Sequence, residues 1–503
     1  MAALAKHGKT RQIHHGMSET HKGPAIVWFR EDLRLDDNPA LAAALKCGGG
    51  IVALYILDEQ SEGLRPLGGA ARWWLHKSLE ALSDALLERG ARLILRRGKS
   101  TETLLDVVNR SGATQVHWNR RYSPGGIACD TATKQVLTDC GITAVSHPGN
   151  LLIEPWEMKT GSGGPYKVFT PFWKAVRERG WRTEPFAAPQ FPACTAEGME
   201  SDSLDGWGLL PTAPEPDWAR EFPDLWQPGE AGARERLKAF LSDGIGGYAR
   251  LRDRPDRENT SRLSPHLRFG EISPQMIACA VSQARDSGDV SERDADKFLA
   301  EVGWREFSHH LLYHFPDLPK ENLQAKFDGF PWRNDDEGLK AWQQGMTGYP
   351  IVDAGMRELW RHGTMHNRVR MIAASFLIKD LMIHWRAGEA WFWETLVDAD
   401  HANNAASWQW VAGSGADAAP FFRIFNPVLQ GEKHDPDGDY VRKFVPELGR
   451  LPAKYIHRPW DAPDDILSDA GVKPGQTYPE RIVDHAYARN RALAVFKALN
   501  NGK

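Results

Sequence analysis

The pattern that most constrains the fold lies between residues 25 and 150, where short apolar runs alternate with helical segments. We predict strands at residues 25–29, 51–56, 92–95 and 115–118. Between the second and third strands, the spacing of four leucines indicates one apolar helical face that ends near Gly90: Leu75, Leu79, Leu82 and Leu86. This alternation predicts a doubly wound parallel sheet with a ligand crevice at the carboxyl ends of its strands.

A helical period dominates from about residue 231 onward. Apolar residues recur three and four apart in residues 297–313, 354–361, 371–385 and 390–397. Strand-like alternation does not persist there, so we predict an all-helical second domain that is large enough to enclose a cofactor. The length of 503 residues also favours two or three domains over a single core.

Prolines and glycines interrupt both patterns between residues 150 and 229, which predicts a long connector wrapped over a surface. The first residues carry positive charges but no apolar core, so we expect a disordered leader and no secretory signal. We therefore divide the chain into a leader (1–23), an α/β domain (24–150), a proline- and glycine-rich connector (151–229) and a helical domain (230–495).

Cysteine usage and hydropathy exclude several classes of protein. No apolar run approaches the roughly 18–20 residues that span a bilayer. The five cysteines are scattered without a CxxC pair, which is typical of a reducing cytoplasm and argues against zinc and iron–sulfur sites: Cys47, Cys129, Cys140, Cys194 and Cys279. We expect a cytoplasmic protein.

Two familiar patterns are set aside. Gly413-x-Gly415-x-x-Ala418 fits a dinucleotide fingerprint, but it follows a helical segment and not a strand. His310 and His314 lie one helical turn apart without a third metal ligand, so we expect them to be packed or solvated. The 20 tryptophans are a stronger signal, because a surplus of this size suggests aromatic stacking or electron transfer beyond simple packing.

Three polar segments in the second half carry chemistry. The donor-rich turn 259–265 suits either a phosphate group or a helix cap, and its residues do not decide between them. Residues 356–371 hold four arginines and one glutamate, which indicates either a phosphate-binding stripe or a solvated face. Residues 398–404 place two carboxylates and two amides among tryptophans, and polar groups in such surroundings need partners, which the edge of a ring system would supply.

Five motifs resemble those of the photolyase/cryptochrome family, in the same order. They are Val27-Trp28-Phe29-Arg30-x-Asp32-Leu33-Arg34-x-x-Asp37-Asn38, Thr260–Pro265, Trp304–Phe307, His366–Arg368 and Asn403–Trp410. The resemblance extends from about residue 24 to residue 490. It implies an N-terminal antenna domain, a helical domain that holds a U-shaped FAD, and light-driven repair of cyclobutane pyrimidine dimers in DNA.

The resemblance also implies roles for individual residues. FAD contacts would come from Tyr248, Thr260, Ser261, Arg262, Leu263, Ser264, Phe298, Arg305, Asn367, Arg370, Asp398, Asp400 and Asn404. Arg370 would pair with Asp398, and Asn404 would lie beside flavin N5, where a neutral amide favours the fully reduced flavin. The tryptophans Trp408, Trp385 and Trp332 would carry electrons from the surface to the flavin, although three core tryptophans are the simpler interpretation.

Photolyases take their target out of the base stack, and the implied lesion pocket suits a flipped dimer. It would be formed by Trp304, Trp410, Glu301, Asn367 and Met371, with Glu301 as a catalytic hydrogen-bonding group. The DNA backbone would meet Arg252, Arg368, Arg423, Gln430 and Lys433.

Single positions refine the implied activity. Photolyases for (6-4) photoproducts carry two histidines where Asn367 and Met371 stand, and DASH-type cryptochromes usually replace Trp410 with tyrosine, so both positions favour cyclobutane dimers in duplex DNA. Residues 435–442 resemble plant cryptochromes, which suggests a class III-like enzyme, with class I as the alternative. One aromatic residue that the family places near the flavin is replaced by Thr364.

The antenna chromophore is less constrained. The Asn-Glu pair that binds methenyltetrahydrofolate in some class I enzymes falls at Gly125-Gly126 here. We expect a folate held by other contacts, with a deazaflavin as the alternative.

Two rival functions share the FAD site. A signalling cryptochrome usually adds a long C-terminal tail, whereas about a dozen residues follow Arg491 here. A light-independent FAD oxidoreductase would need a substrate pocket that the sequence does not reveal. We expect a monomer whose partner is UV-damaged DNA, with no membrane association.

Overall fold

The computed structural model describes residues 23–186, 191, 198–211, 218–417 and 423–501. The predicted leader lies outside the described residues apart from Gly23, and Cys194 lies outside them as well. The first part of the chain is a five-stranded sheet in the order β3-β2-β1-β4-β5. Its strands are β1 (Ala25–Phe29), β2 (Ile51–Leu57), β3 (Leu93–Arg97), β4 (Gln115–Asn119) and β5 (Thr143–His147). All neighbouring strands run parallel, which confirms the predicted α/β class.

Strand β5 is absent from the sequence prediction. It is an edge strand of the sequence Thr-Ala-Val-Ser-His, and its residues are half-buried or exposed. Only two of these residues are apolar, so the continuous apolar run that marks the fully buried β1 and β2 does not form.

Helices cover both faces of the sheet. They are α1 (Pro39–Leu45), α2 (Gly69–Leu87), α3 (Ser100–Ser111) and α4 (Pro124–Asp139). All four predicted leucines of α2 are buried. Gly90 has a φ of 73°, a left-handed conformation that costs glycine little, and it lies just after the end of the helix.

The connector prediction is wrong for one stretch. Helix α5 (Phe169–Arg179) lies within it, and Phe172 and Trp173 pack in the core of the helical part. Pro171 stands in the first turn of this helix, where proline is tolerated, so the density of prolines concealed a regular element. A second short helix, α6 (Phe222–Leu225), precedes the helical part.

The second part of the chain is helical. Among its described residues, the β-structure is a single isolated bridge between Pro474 and Tyr478. Two π-helical turns interrupt the α-helices at Phe240–Gly244 and Phe376–Asp380. The helices are α7 (Glu230–Ala239), α8 (Tyr248–Leu251), α9 (Ser264–Arg268), α10 (Pro274–Asp286), α11 (Glu292–His314), α12 (Asp336–Gln343), α13 (Pro350–His362), α14 (Asn367–Ser375), α15 (Trp385–Thr395), α16 (His401–Ala412), α17 (Pro427–His434), α18 (Asp439–Phe444), α19 (Ala453–Ile456), α20 (Asp464–Ala470) and α21 (His485–Asn501).

Buried polar contacts join the two parts. The indole of Trp74 on α2 donates to Glu271 at 2.9 Å, and both residues are fully buried. The Arg34 guanidinium donates to the carbonyl of Gly270 at 2.9 Å, and Glu230 accepts from the backbone N–H of Leu35 at 2.8 Å. Unpaired, these groups would be costly to bury, so the relative placement of the two parts is specific. Among the described helices, none is both long enough and apolar enough to cross a membrane.

Candidate active site

A cavity of about 530 Å³ opens between α11, α14 and α16 in the helical part. Its volume falls within the range of cofactor and ligand clefts. It collects residues from four separate stretches of the sequence, 248–277, 297–311, 367–374 and 392–416.

Most of the predicted site residues line this cavity. They are Tyr248, Arg252, Ser261, Leu263, Ser264, Phe298, Glu301, Trp304, Arg305, Asn367, Arg368, Arg370, Met371, Asp398, Asp400, Asn404, Trp408 and Trp410. Seven other predicted residues lie outside its wall, namely Thr260, Arg262, Trp332, Trp385, Arg423, Gln430 and Lys433.

An ion pair closes one side of the cavity. The Arg370 guanidinium donates to both carboxylate oxygens of Asp398, at 3.2 and 3.0 Å, and also to the carbonyl of Met365 at 2.7 Å. Its remaining contact is with the hydroxyl of Thr364 at 3.4 Å. A bidentate pair of this kind fixes the direction of the carboxylate as well as its charge.

Asp400 caps helix α16 at the floor of the cavity. Its carboxylate accepts from the backbone N–H groups of Ala402 and Asn403, at 2.8 and 2.7 Å. Burial would raise its pKa, but His309 and the hydrogen bonds from the side chain and backbone of Asn403 hold the pKa of Asp400 below its usual value. The carboxylate is therefore ionised where the chain enters α16.

Asn404 is held by a chain of contacts that reaches the α/β domain. Its Nδ2 donates to the backbone carbonyl of Glu389 at 3.0 Å and to the Glu389 carboxylate at 2.8 Å. Glu389 in turn forms a bidentate pair with Arg65, whose guanidinium lies 4.0 Å from the ring centre of Trp393. Because both amide donors are engaged, Asn404 offers the cavity its acceptor, Oδ1.

Two indoles form an aromatic wall at the mouth. Trp304 stacks on Phe169 of α5, with ring centres 3.8 Å apart and planes 8° from parallel. The Trp410 indole donates to the carbonyl of Asp417 at 3.1 Å. The Asp417 carboxylate also accepts from the backbone N–H of Phe169 at 3.2 Å. Asp417 therefore contacts the Trp410 indole directly and supports Trp304 through Phe169.

Charged groups border the aromatic wall. Glu301 pairs with Arg252 and, at 3.2 Å, with Lys297. Burial would lower the pKa of Arg252, but the neighbouring Glu301 carboxylate, together with Tyr248 and Asp253, raises that pKa above its usual value. The Arg252 guanidinium lies 5.7 Å from the ring centre of Tyr248, which packs between Phe240 and Phe298. The mouth of the cavity is thus cationic around one carboxylate.

The arginines of residues 356–371 do not form one stripe. Arg357 pairs with Glu447, Arg361 with Glu221, Arg368 with Asp253 and Arg370 with Asp398. Only the last two line the cavity. The prediction of a single phosphate-binding stripe is therefore wrong, because two separate helices carry these side chains: Arg357 and Arg361 lie on α13, and Arg368 and Arg370 lie on α14.

The donor-rich turn before α9 contributes only part of its residues. Ser261, Leu263 and Ser264 line the cavity, whereas Thr260 does not. Arg262 has a φ of 51° and lies 3.9 Å from the carboxylate of Glu258. The left-handed conformation reverses the chain here and takes the Arg262 side chain out of the cavity wall.

The three tryptophans of the implied electron path lie in one apolar cluster. Trp408 lines the cavity and packs against Gly388, where an added Cβ would lie 2.1 Å from its ring. Gly388 is one turn after Trp385 on α15, and Trp385 is fully buried. The ring of His384 lies between Trp385, at 5.7 Å, and the half-buried Trp332, at 4.8 Å.

The predicted DNA-backbone residues Arg423, Gln430 and Lys433 line a second groove of about 760 Å³. Arg368 borders both this groove and the cavity. The residues of the cavity and those of the groove come largely from different stretches of the sequence, but the tertiary structure places them side by side.

Several residues at the site were not predicted from the sequence. Arg65, Glu389, Phe169 and Asp417 act through contacts between distant elements, and nothing in their local sequence indicates this. Arg65 and Glu389, for example, are 324 positions apart. Lys297 lines the cavity four residues before Glu301, and its i, i+4 spacing on a predicted helix was a usable signal.

The position expected for folate ligands is closed by backbone. A Cβ added at Gly125 would lie 2.0 Å from the carbonyl oxygen of Gly63. Larger side chains such as asparagine do not fit there unless the loop at Gly63 moves.

Neither the glycine pattern at residues 413–418 nor the histidine pair His310 and His314 has the structural context of a binding motif. Gly413 ends helix α16 and does not follow a strand, and Ala418 lies outside the described residues. His310 and His314 both contact the carbonyl of Pro155 at 3.2 Å. Across the described ranges, no group of histidine, cysteine, aspartate and glutamate residues is arranged to hold a metal ion.

Two family models match the chain. The model for DNA photolyase matches residues 25–192, and the model for the FAD binding domain of DNA photolyase matches residues 298–498. The first matched region covers the α/β part and the beginning of the connector, and the second begins within α11 and includes α14 and α16 of the cavity.

Individual relatives match almost the whole chain. The deoxyribodipyrimidine photo-lyase of Agrobacterium fabrum is 55% identical over 95% of this chain and 98% of its own length. Cryptochrome-2 of Arabidopsis thaliana is 40% identical, over 92% of this chain and 77% of its own. The crystal structure of a class III photolyase from Agrobacterium tumefaciens superposes with a TM-score of 0.92 at 53% identity, covering 97% of this chain and 99% of that one.

Proposed function

This chain belongs to the DNA photolyase family, and we propose on that premise that it is a deoxyribodipyrimidine photo-lyase that repairs cyclobutane pyrimidine dimers in DNA with light. The observation that carries the proposal is the composition of the cavity. Its floor offers fixed hydrogen-bonding groups, its mouth offers two indoles, and a cationic groove adjoins it.

The floor of the cavity fits FAD. The Asp398 carboxylate, the Asp400 carboxylate and the Asn404 carbonyl oxygen would hold the N–H and hydroxyl groups of the flavin and its ribityl chain. Ser261 and Ser264 would face the phosphates. When bound, reduced FAD supplies, upon excitation by light, the electron that splits the cyclobutane ring, and it recovers that electron afterwards.

The protein contributes placement and electrostatics to this reaction. Trp304 and Trp410 would stack against the apolar face of a dimer that has left the duplex. The Glu301 carboxylate would accept a hydrogen bond from a dimer N–H group. Arg252 and Lys297, which flank it, would place positive charge beside the dimer carbonyls as negative charge develops on them.

The type of lesion follows from two residues of the wall. Asn367 and Met371 line the cavity beside the indoles, and neither supplies the acid–base pair that (6-4) chemistry requires. We therefore propose cyclobutane dimers as the substrate and a class III-like enzyme, which the 53% identity with the class III photolyase supports.

The antenna remains a folate, methenyltetrahydrofolate, in our proposal, with a deazaflavin as the alternative. It would bind through contacts other than those at Gly125, because that position is closed by Gly63. The fluorescence spectrum of the chromophore released by denaturation distinguishes the two. We also propose a cytoplasmic monomer, with the antenna held by the α/β domain.

Illumination of the reduced protein with dimer-containing duplex DNA tests the proposed function. We expect thymine absorbance to recover in the light and not in the dark, and (6-4) photoproducts to remain. Failure of light-dependent recovery in a protein that still binds FAD would favour a signalling cryptochrome.

A matched variant tests the aromatic wall. Trp304→Ala should weaken binding of dimer-containing DNA by about 1–3 kcal/mol, because stacking is lost. Binding of undamaged duplex should change little. Equal affinity of the variant and the wild type for damaged DNA would show that the lesion does not stack there.

A further inference from the structure

The groove beside the cavity has an unusual charge distribution. Four cationic side chains line it, Arg368, Arg423, Lys433 and Arg489, and none of the described residues on its wall is acidic. Arg368 pairs with Asp253 at 2.7 Å. The other three make no ion pair with a carboxylate in the described part of the chain. Such a groove attracts a polyanion.

One side of this groove is formed by the C-terminal helix α21. Ala486, Arg489 and Asn490 lie three and four positions apart, hence on one face of the helix, and all three are exposed. The small Ala486 leaves room for another backbone to approach, while Arg489 and Asn490 offer hydrogen-bond donors.

The first turns of α21 are firmly anchored. His485 pairs with the buried Asp380 at 2.5 Å, and its backbone N–H donates to the hydroxyl of Tyr349 at 3.1 Å. Arg491 donates to the carbonyl of Asp380 at 2.5 Å. Arg489 lies one turn after His485, which also lines the groove, so Arg489 is presented from a rigid support. Pre-organised contacts lose less entropy on binding.

The groove continues the lesion cavity, because Arg368 borders both. From this continuity and the charge, we infer that α21 is a DNA-binding element and that Arg489 contacts a backbone phosphate of the strand that carries the dimer, beyond the phosphates near Arg423 and Lys433. This inference rests on the proposed function and extends its DNA interface to the C-terminal helix.

Charge variants on one helix test the inference. Arg489→Gln removes the cation in the groove, and Lys497→Gln removes an exposed cation of the same helix outside it. We expect Arg489→Gln to weaken binding of damaged and undamaged duplex alike, by about three- to tenfold at low salt. The slope of log K against log salt should become shallower by about 0.9. Arg489→Lys should restore most of both effects, and Lys497→Gln should leave both unchanged.

Backbone neutralisation locates the contact. Methylphosphonate groups are placed singly along the dimer-bearing strand, and affinities are measured for the wild type and Arg489→Gln. We expect one position whose neutralisation weakens the wild type but not the variant. The absence of such a position, or a salt slope equal to that of Lys497→Gln, would overturn the inference.

The two proposals fail separately. Wild-type protein that does not repair dimers in the light would refute the proposed function. Wild-type protein that repairs dimers, together with an Arg489→Gln variant that binds DNA as Lys497→Gln does, would refute only the role of α21. Retained FAD absorbance and an unchanged helical spectrum show that each variant is folded.

Discussion

At the scale of single residues, the orientation of Asn404 is the most informative detail of the cavity. Its amide donors are committed to Glu389, so its carbonyl oxygen is the group available to a flavin N–H. If Asn404 lies beside flavin N5, as we propose, this acceptor would stabilise a flavin that carries a proton on N5. The neighbouring ion pair between Glu389 and Arg65 keeps the amide from rotating.

Replacing this amide by an acid tests its role. Asn404→Asp would place two carboxyl groups within hydrogen-bonding distance, and one of them would retain a proton that it can transfer. We expect faster loss of the reduced flavin in air and a lower yield of repair, measured by flavin absorbance and dimer removal. Unchanged reoxidation would show that Asn404 does not contact the reactive part of the flavin.

Asp417 supports both indoles of the proposed lesion pocket. It has a φ of 50°, which aspartate adopts more readily than most residues, and it contacts both Phe169 and Trp410. Asp417→Ala should lower the affinity for dimer-containing DNA by about 1 kcal/mol, because Phe169 loses its hydrogen bond and Trp304 its fixed support. Asp417→Asn keeps an acceptor and should behave as the wild type in the same titration. A loss of equal size for undamaged DNA would contradict this role.

At the scale of elements, helix α11 joins the site to the connector. Trp304 and Arg305 line the cavity, while the next residue, Glu306, is buried and accepts from the backbone N–H of Leu152 at 2.7 Å. Burial raises the pKa of Glu306 from 4.5 to about 7, although Arg305 and the backbone hydrogen bonds oppose the change.

The raised pKa of Glu306 predicts a pH dependence of stability. Between pH 4.5 and about 7 the unfolded chain releases this proton while the folded chain retains it, so the contribution of Glu306 to stability falls as pH rises. The loss amounts to about 3 kcal/mol by pH 7. The glutamine side chain of Glu306→Gln cannot ionise. The free energy of unfolding measured in urea should therefore rise for the variant relative to the wild type as the pH increases over this range. A constant difference between pH 4.5 and 7 would contradict the assignment.

At the scale of the whole molecule, we propose that Trp332, Trp385 and Trp408 form an electron path from the surface to the cavity. Trp332→Phe should slow photoreduction of oxidised FAD, because the outermost oxidisable indole beside His384 is removed. Trp156→Phe, at an exposed indole outside this apolar cluster, should leave the rate unchanged. Transient absorption under blue light measures both rates, and an equal rate for Trp332→Phe and the wild type would remove Trp332 from the path.

A buried hydrogen bond between Trp74 and Glu271 joins the sheet part of the fold to the helical part. Trp74→Phe would remove the hydrogen bond to the buried Glu271, whose other oxygen contacts His266. We expect a loss of about 1–3 kcal/mol in the free energy of unfolding. Calorimetry should show one transition that moves as a whole, whereas Tyr487→Phe, at an exposed position, should not shift it. Two transitions, with only one displaced, would show that the parts unfold independently.

The regular elements were largely predictable because local periodicity reflects burial. The apolar runs of β1 and β2 and the leucines of α2 carry that signal directly. It failed where burial was partial, as in β5, and where prolines obscured it, as in α5.

The site was predictable as a set of motifs but not as a set of contacts. Asp398, Asp400 and Asn404 stand out as polar residues among tryptophans, and the chemistry of their side chains can be read from the sequence. Thr260 and Arg262, in contrast, belong to a motif of which only some residues line the cavity. Membership of a motif therefore did not determine which side chains face the cavity.

The sequence by itself determined the two periodicities, and with them the parallel sheet and the helical domain, because each element buries its own local face. It also determined which functional groups are present. Only the tertiary structure decided which atom Asn404 offers, what supports Trp304 and Trp410, and that Arg489 borders the groove, because those contacts join elements far apart along the chain. Side chains acquire such partners only when distant helices pack against one another.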